Sequence, residues 1–131
     1  SYIFKTANKQ NTIVFYNSAK KQKITLFEKK GIQLIKSKLI KNKYFNLKLV
    51  LKKLYNVGCR NILVEGGNAL TGSFLKNKLF NQFYLFKSTK ILNKSAPYKN
   101  FNHIKYLIQN YKTKSKINTI LGNDTVIQYK K

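Results

Sequence analysis

The chain has 131 residues, of which 43% are hydrophobic and 14% are aromatic, and it carries a formal net charge of +24. Such a length fits one domain, and the apolar and aromatic content argues against intrinsic disorder. One cysteine and one histidine exclude an intrachain disulfide and a Cys/His zinc site, and the lack of a signal-peptide pattern or of a roughly 20-residue apolar run predicts a cytoplasmic protein without a membrane partner.

The first third of the chain contains two predicted strands. Residues 12–16 form a short β-branched and aromatic run that is typical of a buried strand, and residues 31–35 predict a second one. The intervening residues 24–27 fit the start of a helix or a short strand, and the pattern leaves both assignments open.

An amphipathic helix is predicted next. Its apolar residues recur with the spacing of one helix face, at Leu47, Val50, Leu51 and Leu54. Asn46 is a suitable N-cap, because its side chain can accept a hydrogen bond from the first turn. Gly58 suits the left-handed conformation that often follows the end of a helix.

The second half of the chain predicts one helix and several strands. The helix is expected at residues 70–79. The strands are expected at residues 62–64, 80–86, 104–108, 117–121 and 125–129. The apolar run 62–64 has the composition of a central parallel strand covered on both faces, and Gly122-Asn123 supplies a hairpin turn before the last strand.

This order of elements predicts an α/β fold. A mostly parallel sheet with right-handed crossovers would be flanked by helices, and a C-terminal antiparallel hairpin would form its edge. No repeat and no interdomain linker interrupts residues 1–131, so we expect a single domain.

The segment with a chemical signature is Glu65-Gly66-Gly67-Asn68, which joins the predicted strand 62–64 to the second helix. Backbone amides and the positive end of the helix dipole would meet there, and the two glycines would let a phosphate approach the backbone closely. The same glycines also suit a simple reversal of the chain. Neither the GxGxxG nor the P-loop pattern occurs.

Glu65 has two interpretations. It is one of only three acidic residues, and a carboxylate near a helix N-terminus is stabilised by the dipole and by nearby lysines. Alternatively, the carboxylate accepts hydrogen bonds from substrate hydroxyls. The residues alone do not separate the two.

The charge arises from 27 basic and three acidic residues, and Arg60 is the only arginine. Because arginine is the residue suited to bidentate recognition of phosphates and bases, this composition argues against a dedicated nucleic-acid partner. The lysines are scattered and accompany other residues with AT-rich codons, which indicates coding bias. The positive field would also attract a phosphorylated small substrate.

The residues around this segment resemble a known family. Leu51, residues 54–70, Ser73-Phe74-Leu75 and residues 79–85 are similar to the C-terminal reductase domain of the bacterial bifunctional pyrimidine deaminase/reductase of riboflavin biosynthesis. The specific part covers roughly a third of the chain. Two positions depart from the family's pattern, namely Asn81, where the family has Asp, and Lys87-Ser88, where it has Ala-Pro.

The resemblance implies a dihydrofolate-reductase-like fold, a homodimer and a phosphorylated pyrimidine substrate. The reaction would be the NADPH-dependent reduction of the ribosyl group of 5-amino-6-(5-phosphoribosylamino)uracil to ribityl, with hydride passing to C1 of the sugar. It further implies that Glu65 contacts the substrate. The implied NADPH contacts are Gly66, Gly67, Asn68, Ala69, Leu70, Thr71, Gly72 and Ser73.

The resemblance implies a domain about half as long again as this chain, fused in the family to a zinc deaminase domain. We therefore expect residues 1–131 to be the C-terminal part of the reductase domain, without its first strands and without the deaminase. Such a fragment is not expected to turn over substrate alone. The alternative functions are a basic nucleic-acid-binding module and a catalytically inactive, reductase-like dimerisation scaffold.

Three further residues with reactive side chains have structural interpretations. His103 precedes a predicted strand in a polar loop, which favours a solvated side chain over a proton donor. Cys59 lies beside Arg60, a cation that could activate a thiol, yet a packed structural thiol is the simpler interpretation. Asp124 follows a turn glycine and is expected to order that turn.

Overall fold

A computed structural model describes residues 2–8, 12–41, 43–89, 103–111, 113–117 and 122–131. Five helices lie in these ranges: α1 (Tyr2–Thr6), α2 (Lys21–Lys29), α3 (Leu47–Asn56), α4 (Asn68–Lys76) and α5 (Ile104–Asn110). The strands there are β1 (Ile13–Tyr16), β2 (Gln33–Lys36), β3 (Leu39–Ile40), β4 (Tyr44–Phe45), β5 (Gln82–Lys87), β6 (Thr113–Ile117) and β7 (Thr125–Lys130). The fold is mixed α/β, as predicted.

The chain divides into two compact units, residues 1–61 and residues 62–131. The described strands form three separate sheets, of which only the β1–β2 pair is parallel. A single, mostly parallel sheet is therefore not what these residues display. The first unit holds the parallel pair and a short hairpin, and the second holds an antiparallel sheet of three strands.

In the first unit, α2 connects the parallel strands β1 and β2, so the three elements form a βαβ arrangement. The strands are in register with Ile13 opposite Gln33 and Tyr16 opposite Lys36. The ambiguous residues 24–27 lie inside α2, so the helical assignment is the right one. Both predicted strands are confirmed within one or two residues of their expected limits.

Helix α3 is bounded by the residues that the sequence predicts. The Asn46 side chain accepts a hydrogen bond from the Leu49 amide at 3.3 Å. Gly58 has φ of 97°, which a side chain would disfavour. Just beyond it, Arg60 donates from Nη1 to the Tyr55 carbonyl at 2.7 Å, with its guanidinium 4.2 Å from the Tyr55 ring centroid. A cation at a helix C-terminus also complements the dipole.

The second unit is built on the antiparallel sheet β5–β7–β6. Phe83 lies opposite Tyr129, and Lys116 lies opposite Ile127. Helices α4 and α5 contribute to one core with this sheet, whose most buried members are Leu75, Leu107, Tyr111 and Tyr129. At the predicted turn, Gly122 has a φ of 61° and lies shortly before β7.

The prediction of a buried strand at residues 62–64 is wrong. These residues lie outside the helices and strands, and the Leu63 side chain is 80% exposed. An apolar run indicates a preference for burial, whereas a strand also needs a hydrogen-bonded neighbour. Among the described residues, no strand pairs with this run.

The prediction of a strand at residues 104–108 is also wrong, because this segment begins α5. Leu107 and Tyr111 are four residues apart and both are buried, which is the spacing of one helix face. The expected short strand at 117–121 is found earlier, as β6, and residues 118–121 lie outside the described ranges.

Tyr111, at the C-terminal end of α5, forms hydrogen bonds with Phe80, which lies shortly before β5. Its hydroxyl donates to the Phe80 carbonyl at 2.8 Å and accepts from the Phe80 amide at 3.1 Å. Burial raises the pKa of the Tyr111 phenol above its ordinary value of 10.0, although the hydrogen bond that the phenol oxygen accepts from the Phe80 amide opposes this effect. The neutral phenol is therefore the form that the folded state holds.

The Tyr111→Phe variant is expected to lose about 1–3 kcal/mol of stability at pH 8, because the two Phe80 groups lose their partner. Since the folded pKa is raised, the stabilisation by Tyr111 is complete below pH 10 and is lost as the pH rises beyond it. Urea unfolding of both proteins between pH 8 and pH 11 should show the difference shrinking. A constant difference would contradict the assignment.

Candidate functional site

The segment 62–67 leads into the N-terminus of α4. Gly67 is the N-cap residue, and its carbonyl accepts from the Thr71 amide at 3.1 Å. In any α-helix, the amides of the first turn lack an acceptor within the helix and point towards the segment that precedes it. The helix begins at Asn68, two residues before the predicted start, so the expected glycine-to-helix junction is confirmed.

The two glycines differ in their surroundings. A Cβ on Gly66 would lie 2.6 Å from Leu70 Cδ2, whereas a Cβ on Gly67 would meet nothing within 4 Å. Gly67 has an extended backbone, with φ of −66°, that any residue can adopt. The space beside Gly67 is therefore open to a ligand, and the space beside Gly66 is filled by the helix itself.

The predicted site residues are contiguous but not equally accessible. Glu65, Gly66, Gly67, Ala69 and Leu70 are exposed, and Asn68, Thr71 and Ser73 are half-buried. Gly72 is buried. The exposed members lie on the loop and the first turn of α4, so this end of the helix is where a ligand has access to the backbone.

The Glu65 carboxylate lies on the exposed loop three residues before α4 begins. Its exposure makes it available to hydroxyl groups of a ligand at the helix N-terminus. The same position gives it a favourable interaction with the helix dipole. Both interpretations of Glu65 are compatible with this placement.

Two hydroxyl groups of α4 are engaged by the backbone. Thr71 Oγ1 donates to the Gly66 carbonyl at 3.2 Å, and Ser73 Oγ donates to the Ala69 carbonyl at 2.8 Å. The Thr71 contact ties the glycine loop to the second turn of the helix. These hydroxyls retain oxygen lone pairs for a ligand, while their protons serve the fold.

Gly72 lies against the imidazole of His103. A Cβ on Gly72 would overlap with three ring atoms of His103, so only glycine allows this approach. His103 is the N-cap residue of α5 and is half-buried. The interpretation of His103 as a solvated loop residue is therefore wrong: the ring is packed on a helix that the sequence places far from it.

The other two reactive residues lie at the end of a helix and beside a turn. Cys59 is half-buried, and its amide donates to the Leu54 carbonyl at 3.0 Å as part of the end of α3. Asp124 is exposed between the turn at Gly122 and β7, consistent with a turn residue. Among the described residues, no three His, Cys, Asp or Glu side chains are grouped as metal ligands.

The electrostatic field follows from the composition. With 27 basic and three acidic residues, at least 24 cations remain after each carboxylate has paired with one of them. Such a field attracts anionic ligands over distances set by the salt concentration. Within the described ranges, none of the helices has the length and apolar character needed to cross a bilayer.

The glycine loop and α4 lie within a stretch shared with known proteins. Residues 2–105 match the family described as the RibD C-terminal domain. The chain belongs to this family. Membership confirms the resemblance that the residues between Leu51 and Leu85 indicate.

Two curated members of the RibD group are similar to the chain. A riboflavin biosynthesis protein RibD of Aquifex aeolicus (strain VF5) is 31% identical over 110 residues, covering 84% of this chain and 29% of that protein. A riboflavin biosynthesis protein RibD of Actinobacillus pleuropneumoniae is 26% identical over 129 residues, covering 97% of this chain and 34% of that protein. The chain thus spans about a third of the length of the curated relatives it matches.

Proposed function

We propose that this chain forms part of a reductase of riboflavin biosynthesis. The reaction would be the NADPH-dependent reduction of the ribosyl group of 5-amino-6-(5-phosphoribosylamino)uracil to ribityl. The observation that carries the proposal is the match to the RibD C-terminal domain, which includes Glu65, Gly67 and the first turn of α4. We further propose a dihydrofolate-reductase-like fold, a homodimer and a cytoplasmic location on the same ground.

The N-terminus of α4 fits the diphosphate of a dinucleotide. The space beside Gly67 is open, and the amides of Ala69 and Leu70 in the first turn would provide donors for phosphate oxygens. The helix dipole and the excess of lysines favour the same negative charge. Gly67 and the first turn are therefore the residues that would hold NADPH.

The role proposed for Glu65 is to hold the sugar. An ionised carboxylate accepts hydrogen bonds from hydroxyl groups and fixes the sugar chain relative to the bound cofactor. When bound, NADPH supplies the hydride that, together with a proton taken up at the glycosidic nitrogen, converts the C1=N bond of the opened sugar into CH2–NH. Binding and orientation are the tasks left to the chain.

The Gly67→Val variant of the full-length protein is expected to bind NADPH about tenfold or more weakly, which corresponds to about 1.4 kcal/mol. A Cβ at position 67 would meet no other atom of the chain within 4 Å, so the valine side chain would extend into the open space beside the loop. Gly67→Ala serves as the graded control and should lose less affinity. Fluorescence titration with NADPH measures both dissociation constants, and thermal unfolding verifies that the variants are folded.

Two results would count against this function. The wild-type full-length protein could fail to bind NADPH, which would remove the cofactor from the proposal. Alternatively, Gly67→Val could bind NADPH as tightly as the wild type, which would move the cofactor away from this loop.

A further inference from the structure

The contact between His103 and Gly72 connects a distant helix to the segment proposed to bind the cofactor. The imidazole occupies the volume that a side chain at position 72 would need. Gly72 lies one turn beyond Asn68, on the same short helix whose first turn is proposed to bind the cofactor. Anything that moves this helix relative to α5 also moves the amides at its N-terminus.

His103 is held firmly on its own side of the contact. Its carbonyl accepts from the amides of Tyr106 and Leu107, at 3.0 and 3.4 Å, and so begins α5. Leu107 and Tyr111 anchor that helix in the core, with exposed fractions of 0% and 1%. The Tyr111 hydroxyl fixes its far end to Phe80. The imidazole is therefore presented from a rigid support.

Helix α4 is anchored from its other half. Phe74 and Leu75 are buried, and Leu75 belongs to the core cluster. The glycine loop and the first turn lie outside that cluster and are largely exposed. Between the anchored half and the exposed half, the close approach of Gly72 to His103 is one of the contacts between α4 and the start of α5.

We propose that His103 is a positioning residue for NADPH binding, acting through Gly72 on the N-terminus of α4; this inference rests on the proposed function. Hydrogen bonds from amides to phosphate oxygens need donor–acceptor distances of about 2.7–3.2 Å and weaken steeply at angles below about 120°, so a shift or tilt of the first turn reduces affinity. Removing the imidazole leaves an unfilled volume beside Gly72, into which the helix can settle. The ring thus sets where the amides lie.

The test uses the full-length protein and NADPH titration well below the unfolding temperature. The His103→Ala variant is expected to bind NADPH about three- to tenfold more weakly, within the range that residues without ligand contact typically produce. His103→Phe, which keeps a flat ring in the same volume, should restore most of the affinity. Ile108→Ala, on the exposed side of the same helix, should bind like the wild type.

The double variant Gly72→Ala with His103→Ala provides a second, independent readout. Gly72→Ala alone should weaken binding and lower the unfolding temperature, because its Cβ overlaps with the imidazole. Removing the imidazole as well should recover affinity, so the two changes should be strongly non-additive. Additive losses would show that the two residues do not act on each other.

The outcomes separate this inference from the proposed function. Absence of NADPH binding by the wild type overturns the function and, with it, the inference. Tight binding by the wild type together with unchanged binding by His103→Ala overturns the inference alone. If His103→Ala binds NADPH weakly and His103→Phe does not restore the affinity, the effect does not come from filling this volume. That result also overturns the inference.

Discussion

Replacing Leu107 with alanine is expected to lower the free energy of unfolding by about 3 kcal/mol, within the usual range of 2–5 kcal/mol for such a truncation in a core. The Leu107 side chain is 0% exposed and belongs to the cluster that joins α4, α5 and the antiparallel sheet. Its removal leaves a cavity that neighbours anchored on other elements cannot easily fill. Urea unfolding curves provide the measurement.

The neighbouring Ile108→Ala variant is the control, because the Ile108 side chain is 59% exposed. Its effect should stay within about 0.5 kcal/mol. Equal losses in the free energy of unfolding for the two variants would contradict the burial of Leu107 in the core and the exposure of Ile108.

The Glu65→Gln variant of the full-length protein is expected to reduce kcat/KM for the pyrimidine substrate about 10- to 100-fold. A hydrogen bond to a charged group contributes about 1.5–3 kcal/mol, and each 1.4 kcal/mol corresponds to a factor of ten. The affinity for NADPH should change little, since the proposed cofactor site consists of Gly67 and the first turn of α4. Steady-state kinetics with NADPH consumption, together with NADPH titration, separate the two effects.

Glu28 offers a matched control for this experiment. It is an exposed glutamate on α2, so Glu28→Gln makes the same chemical change in an element without a proposed role. Its kinetics should match those of the wild type. Full activity of Glu65→Gln would leave that carboxylate with only its interaction with the helix dipole.

Local signals in the sequence were sufficient for much of the fold. The cap at Asn46, the left-handed Gly58 and the strands β1, β2 and β7 were each predicted from residues close together in the chain. Turn glycines and N-caps act through the conformation of one or two residues, which the residue type itself restricts. Such features are readable without knowledge of distant partners.

One prediction failed where a partner decides the structure, and another failed because the window was too short. The apolar run 62–64 suits a central strand, but burial also requires neighbouring elements on both sides. Residues 104–108 are too short a window to separate strand from helix, whereas extending it to Tyr111 reveals Leu107 and Tyr111 on one helix face. The helical period was therefore present in the sequence.

The candidate site was predicted as a segment rather than as an arrangement in space. Residues 65–73 are contiguous, so the chain itself keeps Glu65, Gly67 and the first turn of α4 together. The contact between Gly72 and His103 joins residues that no sequence spacing relates. Gly72 offers the one hint, because a glycine inside a helix weakens it and so indicates a close approach by another group.

The bounds of α3 have a consequence for the order in which the chain acquires structure. Every contact that fixes its ends, from the Asn46 side chain to the Arg60 guanidinium on Tyr55, joins residues within a single short stretch. No long loop has to close before these contacts form, whereas the link between Phe80 and Tyr111 spans 31 positions. Once residues 46–60 have emerged from the ribosome, all the residues that fix the ends of this helix are available. The core of the second unit becomes complete only later in synthesis.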